Sequence, residues 1–155
     1  MMADDSLEQF GPCDVFISHA TRPMPDHRRL TDELAGALCR RGLSVYLDRK
    51  RLQVDEPVYP QLDAAIWAAR IGLVILTQRY LKSSWCKLEL KTMLERRAAG
   101  AMRLFPLRLD PECSLPPGFT EKDVIEPGSP PDLTALANQV ERLLRQALTG
   151  FAPPA

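Results

Sequence analysis

The segment SSWCKLEL, residues 83–90, places an indole, a thiol and a carboxylate on one stretch of predicted helix. Trp85 and Glu89 are four residues apart, so they share one face of that helix. If Ser84 begins the helix, Glu89 lies too far along for a capping box, and the helix dipole favours acids only in the first turn. Two interpretations remain open: an exposed helix glutamate, or a carboxylate tuned by the neighbouring indole for chemistry.

The two neighbours of this carboxylate also allow a structural interpretation. Trp85 is either a core anchor or a platform for the ring of a ligand. Cys86 is best explained as a small buried hydrophobic residue. Because no histidine stands near Cys86 in sequence to activate a thiolate, we expect that it is not a nucleophile.

Several cations follow the first predicted strand. Arg22, Arg28 and Arg29 come after His19, and they are either solvated charges or groups that attract a phosphate. The sequence has no GxGxxG, Walker A or GxSxG element. We therefore do not expect a dinucleotide to be held as in Rossmann enzymes, or an acyl-transfer triad of the hydrolase type.

Composition limits the classes of protein. The 155 residues fit one domain, and 20 basic residues balance 20 acidic residues, so charge predicts neither a nucleic-acid nor a membrane-surface partner. The four cysteines form no CxxC pair and stand near no histidine motif, so we expect free thiols, no metal and a cytoplasmic protein. The opening MMADDSLEQF lacks the apolar region of a secretory signal, and no apolar run is long enough to span a membrane.

Strands and helices alternate along the chain. The predicted strands cover residues 13–18, 43–48, 71–77 and 103–109, with a very short fifth strand at 123–125. The predicted helices cover residues 27–41, 61–69, 84–99 and 131–148, and QRYLKSS is interpreted as a connector. This alternation predicts an open parallel sheet with helices on both faces. The loops after Ser18, Asp48 and Thr77 would then lie at the sheet edge where such folds bind ligands.

Local signals mark the ends of these elements. We expect Asp26 and Ser84 to be N-caps, and Gly42 to take the positive φ that often follows a helix. Pro106 indicates an edge position for the fourth strand. The apolar face of the third helix is predicted to contain Leu88, Leu90, Met93 and Leu94.

Read in order, CDVFISH, GLSVYLD and LDAAIWAARIGLVILTQRYLKSSWCKLEL resemble a Toll/interleukin-1 receptor (TIR) domain of the plant type. The resemblance runs from about Cys13 to Leu148, and the block from Ser84 to Leu90 is its most specific part. It implies a flavodoxin-like open parallel sheet of about five strands in the order 2-1-3-4-5. The domain would cover residues 12–149, between a flexible segment 1–11 and a tail 150–155.

The resemblance also implies an activity. Many plant TIR domains cleave NAD+ at the nicotinamide–ribose bond, and some make cyclic ADP-ribose isomers, with the glutamate of this block as the catalytic residue. That residue is Glu89 here, NAD+ is the substrate, and neither a cofactor nor a metal is needed. The residues expected to contact substrate are Ser18, His19, Ala20, Arg22, Ser84, Trp85 and Cys86. The resemblance implies that this enzyme acts as a signalling domain in innate immunity or cell death, with self-association and contact with other TIR proteins. The alternative is a non-enzymatic adaptor that works by self-association and partner recruitment.

The loop from Arg49 to Pro60 corresponds to the family's BB loop, which gates the pocket and contacts neighbouring protomers. The residues assigned to it are Arg49, Lys50, Arg51, Leu52, Asp55 and Pro57. Two departures from the family pattern stand out: Asp55 replaces the usual glycine, and HATRPMP replaces an Arg-Gly-Glu-Asp-like stretch after the first strand. A phospho-receiver of the same fold is rejected, because Thr77 and Gln78 stand where its phosphoacceptor aspartate would be.

Overall fold

The computed structural model describes residues 13–20, 22–47, 66–128 and 130–150. Four parallel strands form one sheet in the order β2-β1-β3-β4. The strands are β1 (Cys13–Ser18), β2 (Val45–Leu47), β3 (Ala69–Leu76) and β4 (Arg103–Arg108). The flavodoxin-like parallel sheet expected from the sequence is confirmed, with β1 and β3 at its centre.

Helices cover the sheet. They are α1 (Pro25–Arg40), α2 (Gln78–Lys82), α3 (Ser84–Ala98) and α4 (Leu133–Thr149), with a short 3-10 turn at Glu121–Asp123. Residues 66–68 are also helical and lead directly into β3. None of the helices in the described ranges is both long and apolar enough to cross a membrane.

Alternation along the strands divides the core into two layers. In β1, Val15 and Ile17 pack with apolar residues of α1 and α4, whereas Phe16 lies in the second cluster with apolar residues of α3. Successive side chains of a strand point to opposite faces, so Ser18 follows Phe16 toward the α3 layer. This parity decides which side chains at the end of β1 can meet Glu89.

The predicted fifth strand is wrong in extent. Ile125 forms a single parallel bridge with Leu107, and the residues before it form the 3-10 turn. Pro106 lies at the edge strand, as expected, and pairs with Val74. The carbonyl of Pro106 accepts from the Ile125 amide, so the position where proline lacks an N–H faces outward from the sheet.

The starts of α1 and α4 lie two residues from their predicted positions, and α3 starts at Ser84 as predicted but has a different cap. α1 begins at Pro25 after the N-cap Met24, because proline suits the first helical position, and Asp26 instead lies in the first turn. Ser83, not Ser84, caps α3, with its hydroxyl accepting from the Cys86 amide. Gly42 has φ +92°, as expected after α1.

Two predictions for the middle of the chain are also corrected. The predicted connector contains α2, whose N-cap Thr77 accepts a hydrogen bond from the Tyr80 amide at 3.0 Å. Leu88 does not belong to the buried face of α3, because 40% of it is exposed, whereas Leu90 and Met93 are buried. The true face follows a three-to-four residue step from Cys86 through Glu89 or Leu90 to Met93.

α3 packs closely against β3 at one glycine. A Cβ added to Gly72 would overlap Met93 Cε and would lie 2.6 Å from Leu104 Cδ2. Only glycine therefore fits at position 72 with the side chains of Met93 and Leu104 in their present positions. This contact fixes the distance of α3 from the sheet, and with it the depth of Glu89.

Candidate functional site

Glu89 is a buried carboxylate in the second turn of α3, with 1% of its surface exposed. Trp85 Nε1 donates to Glu89 Oε2 at 3.1 Å, and the hydroxyl of Ser18 donates to Oε1 at 2.6 Å. A carboxylate buried without such donors would be costly, because its charge would lose hydration without replacement. The interpretation of Glu89 as an exposed helix residue is therefore wrong, and the predicted pairing with Trp85 is present.

The Ser18 hydroxyl connects a third residue to this carboxylate. Tyr80 Oη lies 2.8 Å from Ser18 Oγ in the same buried region. A serine hydroxyl has one proton, and here it points to an acceptor-only carboxylate, so the Tyr80 hydroxyl supplies the proton of the second bond. The chain of donors runs from Tyr80 through Ser18 to Glu89 and stiffens the site.

Sequence reasoning missed Tyr80. The residue stands in the segment interpreted as a connector, where a tyrosine carries no positional signal. Thr77 caps α2 by accepting a hydrogen bond from the Tyr80 amide, and the Tyr80 side chain is buried, with 1% of the residue exposed. A signal was available at Thr77, since a threonine at this point in the chain is a favoured helix N-cap.

His19 and Ala20 follow Ser18 at the end of β1. The two line a narrow cleft on the α1 side of the sheet, together with Thr31 and Ile75. His19 Nδ1 lies 3.0 Å from the Ala20 carbonyl, so the ring nitrogen donates locally. Alternation explains the position of His19, because a residue that follows Ser18 in an extended chain points to the opposite face. Ala20 lies beyond the strand, where alternation no longer applies.

Cys86 is buried next to the same strand end. Its Sγ donates to the His19 carbonyl at 3.3 Å, and it belongs to the apolar cluster between α3 and the sheet. These contacts are those of a thiol that packs as a small buried side chain. The structure thus gives Cys86 a packing position, and its lack of a nucleophilic role stays a prediction.

Trp85 also forms the wall of an open groove. The groove has a volume of about 430 Å³ and is lined by Arg22, Arg79, Lys82, Ser83, Ser84 and Trp85. Arg22 and Ser84, both predicted to contact substrate, therefore lie together in this groove, whose lining includes Trp85 but not Glu89. The two other cations of the predicted phosphate-attracting set are committed elsewhere: Arg28 pairs with Asp32 and Arg29 with Asp26.

The six residues assigned to the BB loop, from Arg49 to Pro57, lie outside the described residues. Among the residues that the structure describes, no group of three or more histidine, cysteine, aspartate or glutamate side chains is arranged to hold a metal ion.

The sequence profile of the TIR domain family matches residues 15–145. The chain belongs to the TIR domain family. The match includes the end of β1 with Ser18 and the whole of α3, which carries Glu89.

Curated relatives of this TIR domain come from bacteria and plants. It is 30% identical over 104 residues to the 2' cyclic ADP-D-ribose synthase BtTIR of Bacteroides thetaiotaomicron, covering 67% of this chain and 35% of the relative. It is 28% identical over 96 residues to the NAD(+) hydrolase PdTIR of Paracoccus denitrificans, covering 62% and 31%. The disease resistance protein RPV1 of Vitis rotundifolia is 33% identical over 94 residues, covering 61% and 6%. The TIR domain thus spans about a third of the length of these bacterial relatives.

Solved structures show the same fold. The TIR domains of the activated Roq1 resistosome, which recognises the pathogen effector XopQ, align with a TM-score of 0.54 at 23% identity, over 88% of this chain and 81% of theirs. The TIR domain of the Toll-related receptor TRR-2 from Hydra magnipapillata aligns with a TM-score of 0.63 at 18% identity, over 86% and 98%. The resemblance to plant TIR domains is therefore part of a wider likeness that includes bacterial and animal members.

Proposed function

We propose that this TIR domain cleaves NAD+ at the nicotinamide–ribose bond, with Glu89 as the catalytic residue. The observation that carries the proposal is the buried Glu89 carboxylate, held by Ser18 and Trp85 at the edge of the sheet where this fold class binds ligands. Two relatives support it by name, one as an NAD(+) hydrolase and one as a 2' cyclic ADP-D-ribose synthase.

The chemistry needs one carboxylate and no general acid. Nicotinamide is already cationic in NAD+, so the C1'–N bond breaks with its electron pair going to the ring nitrogen, and neutral nicotinamide leaves. The ribose then carries an oxocarbenium-like charge, which a fixed carboxylate stabilises in a site shielded from water. Attack at C1' by water, with loss of its proton, gives ADP-ribose, whereas attack by a hydroxyl of the same molecule gives a cyclic isomer.

Access to Glu89 requires movement. With 1% of the residue exposed, a ribose reaches the carboxylate only after a covering group has moved aside. The family resemblance assigns this movement to the charged segment from Arg49 to Pro60. We propose that the segment gates the site, so that the protein is weakly active until the gate opens.

The biological setting is proposed from the relatives. A plant disease resistance protein and the TIR domains of a resistosome are among the proteins that this chain resembles. We propose a role in immune or cell-death signalling, in the cytoplasm, through self-association and contact with other TIR proteins. The adaptor alternative shares this self-association and differs only in the absence of turnover.

The test is incubation of the purified protein with NAD+ and separation of the products by mass. We expect nicotinamide with ADP-ribose or a cyclic isomer from the wild type, and loss of turnover by at least about a hundredfold in Glu89→Gln and Glu89→Ala, since removing one stabilising group costs about this much. Glu95→Ala is the matched control, because Glu95 is an exposed glutamate of the same helix. Full activity in Glu89→Ala would overturn the assignment, and a wild type that is inactive even at high protein concentration would favour the adaptor.

A further inference from the structure

We propose that the groove outside Trp85 is a phosphate-binding subsite, which takes the diphosphate of the dinucleotide whose ribose lies at Glu89. This extends the proposed function by assigning a binding role to Arg79 and Lys82. Neither residue was expected from the sequence to contact substrate. The groove and the carboxylate share one side chain, because Trp85 lines the groove while its Nε1 donates to Glu89.

The charge of the groove is the first argument. Three of its six lining residues are cationic, namely Arg22, Arg79 and Lys82, and none of the six is acidic. Within the part of the chain that the structure describes, none of these three cations forms an ion pair. Other surface arginines behave differently, since Arg28, Arg41, Arg108 and Arg145 each pair with a carboxylate. An open groove with uncompensated positive charge attracts a polyanion.

The arrangement of the cations is the second argument. Arg79 Nη1 donates to the backbone carbonyl of Arg22 at 2.9 Å, which ties the loop after β1 to α2. Arg79 is thereby anchored by one nitrogen and keeps its other donors for a ligand, since a guanidinium has five N–H groups. Lys82 stands at the end of the same short helix, and its ammonium supplies a flexible point charge. A planar fork and a point charge on one wall suit the oxygens of a diphosphate.

Position is the third argument. In NAD+ the diphosphate begins one methylene group beyond the ribose that is attacked. The ribose must approach Glu89, and the groove adjoins this carboxylate through the Trp85 indole, which lines the groove and donates to Glu89. A substrate that crosses the indole edge thus places its reacting carbon inside and its phosphates outside. Binding energy gained at the phosphates is then available for orienting the sugar.

The experiment titrates isotope-labelled protein with ADP, which has the diphosphate but no nicotinamide bond to cleave, and follows the indole N–H signals by NMR. The chain has two tryptophans, so one reports the groove and the other is an internal control. Trp67 lies under the Arg96 guanidinium, whose Cζ is 4.7 Å from the ring centroid. We expect the Trp85 signal to shift with ADP and the Trp67 signal to stay, whereas adenosine, without phosphate, shifts neither at the same concentration.

Variants then assign the charges. Arg79→Ala with Lys82→Ala should raise the ADP dissociation constant at least about tenfold, because a hydrogen bond to a charged group contributes this much or more. Lys82→Ala alone leaves the Arg79–Arg22 hydrogen bond intact and should still weaken binding. Lys87→Ala with Lys91→Ala removes the same number of positive charges from the exposed surface of α3 and should leave the dissociation constant unchanged.

Kinetics with NAD+ separate this proposal from the proposed function. The Lys82→Ala variant should raise KM for NAD+ and leave kcat almost unchanged, since it removes binding and not chemistry. NAD+ turnover together with an unchanged ADP dissociation constant in the double variant would overturn the subsite. Weakened ADP binding in that variant, without NAD+ turnover by any variant, would support the groove and overturn the proposed reaction.

Discussion

The hydroxyl of Ser18 donates to Glu89 Oε1 at 2.6 Å and so joins two residues that are 71 positions apart in sequence. The bond ties the last residue of β1 to the second turn of α3. Since Trp85 holds the other oxygen from within α3, the carboxylate is oriented by the strand as well as by its own helix. Its position therefore depends on the packing of α3 against the sheet.

Ser18→Ala should lower kcat for NAD+ about tenfold, because loss of one hydrogen bond to a charged group frees the carboxylate to rotate. It should also lower the free energy of unfolding by about 1–3 kcal/mol, since a buried carboxylate oxygen loses a donor. Steady-state kinetics and urea denaturation measure the two effects. Ser114→Ala, an exposed loop serine, is the control. A kcat equal to that of the wild type would show that this bond does not orient Glu89.

Tyr80→Phe should have a smaller effect on kcat than Ser18→Ala, because the tyrosine hydroxyl acts on Glu89 through Ser18. The double variant should therefore lose little more than Ser18→Ala alone, as residues in one hydrogen-bonded network are not additive. The measurement is a double-mutant cycle on kcat at fixed pH. Fully additive losses would mean that the two hydroxyls act independently.

Gly72→Ala should destabilise the fold by about 1–3 kcal/mol, the usual cost of overpacking, because its Cβ would overlap Met93 and crowd Leu104. Gly36→Ala is the contrasting variant. Its Cβ would meet only the flexible end of Arg40, at 3.2 Å, and removing a glycine from a helix interior should stabilise by about 0.5–1 kcal/mol. Urea denaturation compares the two free energies of unfolding. Shifts of the same sign would refute the packing account of Gly72.

Cys13 should react slowly with alkylating reagents, because burial raises the pKa of its thiol from 9.0 to about 11. At pH 8 about one thiol in a thousand would then be ionised, and the thiolate is the reactive form. The folded protein holds this proton more tightly than the unfolded chain does. The contribution of the Cys13 thiol to the free energy of unfolding is therefore fully present below pH 9, and it should be lost as the pH rises through about 11. Alkylation rates of Cys13, followed by mass spectrometry from pH 7 to 10, measure the predicted low reactivity. Rapid labelling of folded protein at pH 8 would contradict it.

Specific activity should rise with protein concentration if the segment from Arg49 to Pro60 docks on a neighbouring copy. Its basic residues precede its acidic residues, which allows head-to-tail contact between identical chains. The test spans a hundredfold range of concentration at low and high salt, with Arg49, Lys50 and Arg51 replaced by alanine in parallel. Constant specific activity under all these conditions would mean that the monomer carries a complete site.

The strong elements of the fold were predictable because burial leaves a clear pattern in sequence. The bounds of β1 were predicted as the structure has them, and β3 differs from its prediction by two residues at one end and one at the other. Both strands are continuous apolar runs, as central parallel strands must be. The predicted strand at 123–125 fails because three residues beside an edge make one bridge at Ile125, not a ladder.

The candidate site was only partly predictable. Spacing along a helix reveals that Trp85 and Glu89 share a face, since that relation is local. It does not reveal Tyr80 or Ser18 as partners, because those contacts depend on how deeply α3 settles on the sheet. The groove was also not predictable from spacing. Arg79 and Lys82 line it together with Arg22 only because α2 folds beside the loop that carries Arg22.

Pro106 and Ile125 together close the outer side of β4. Ile125 covers the Pro106 carbonyl and accepts from the Arg108 amide, and proline itself has no N–H to offer. An incoming strand would find the backbone groups of Pro106 and Arg108 on this side already hydrogen-bonded or, at the proline nitrogen, without a hydrogen to donate. Around Pro106, addition of a strand from a second molecule on this side of β4 is therefore disfavoured.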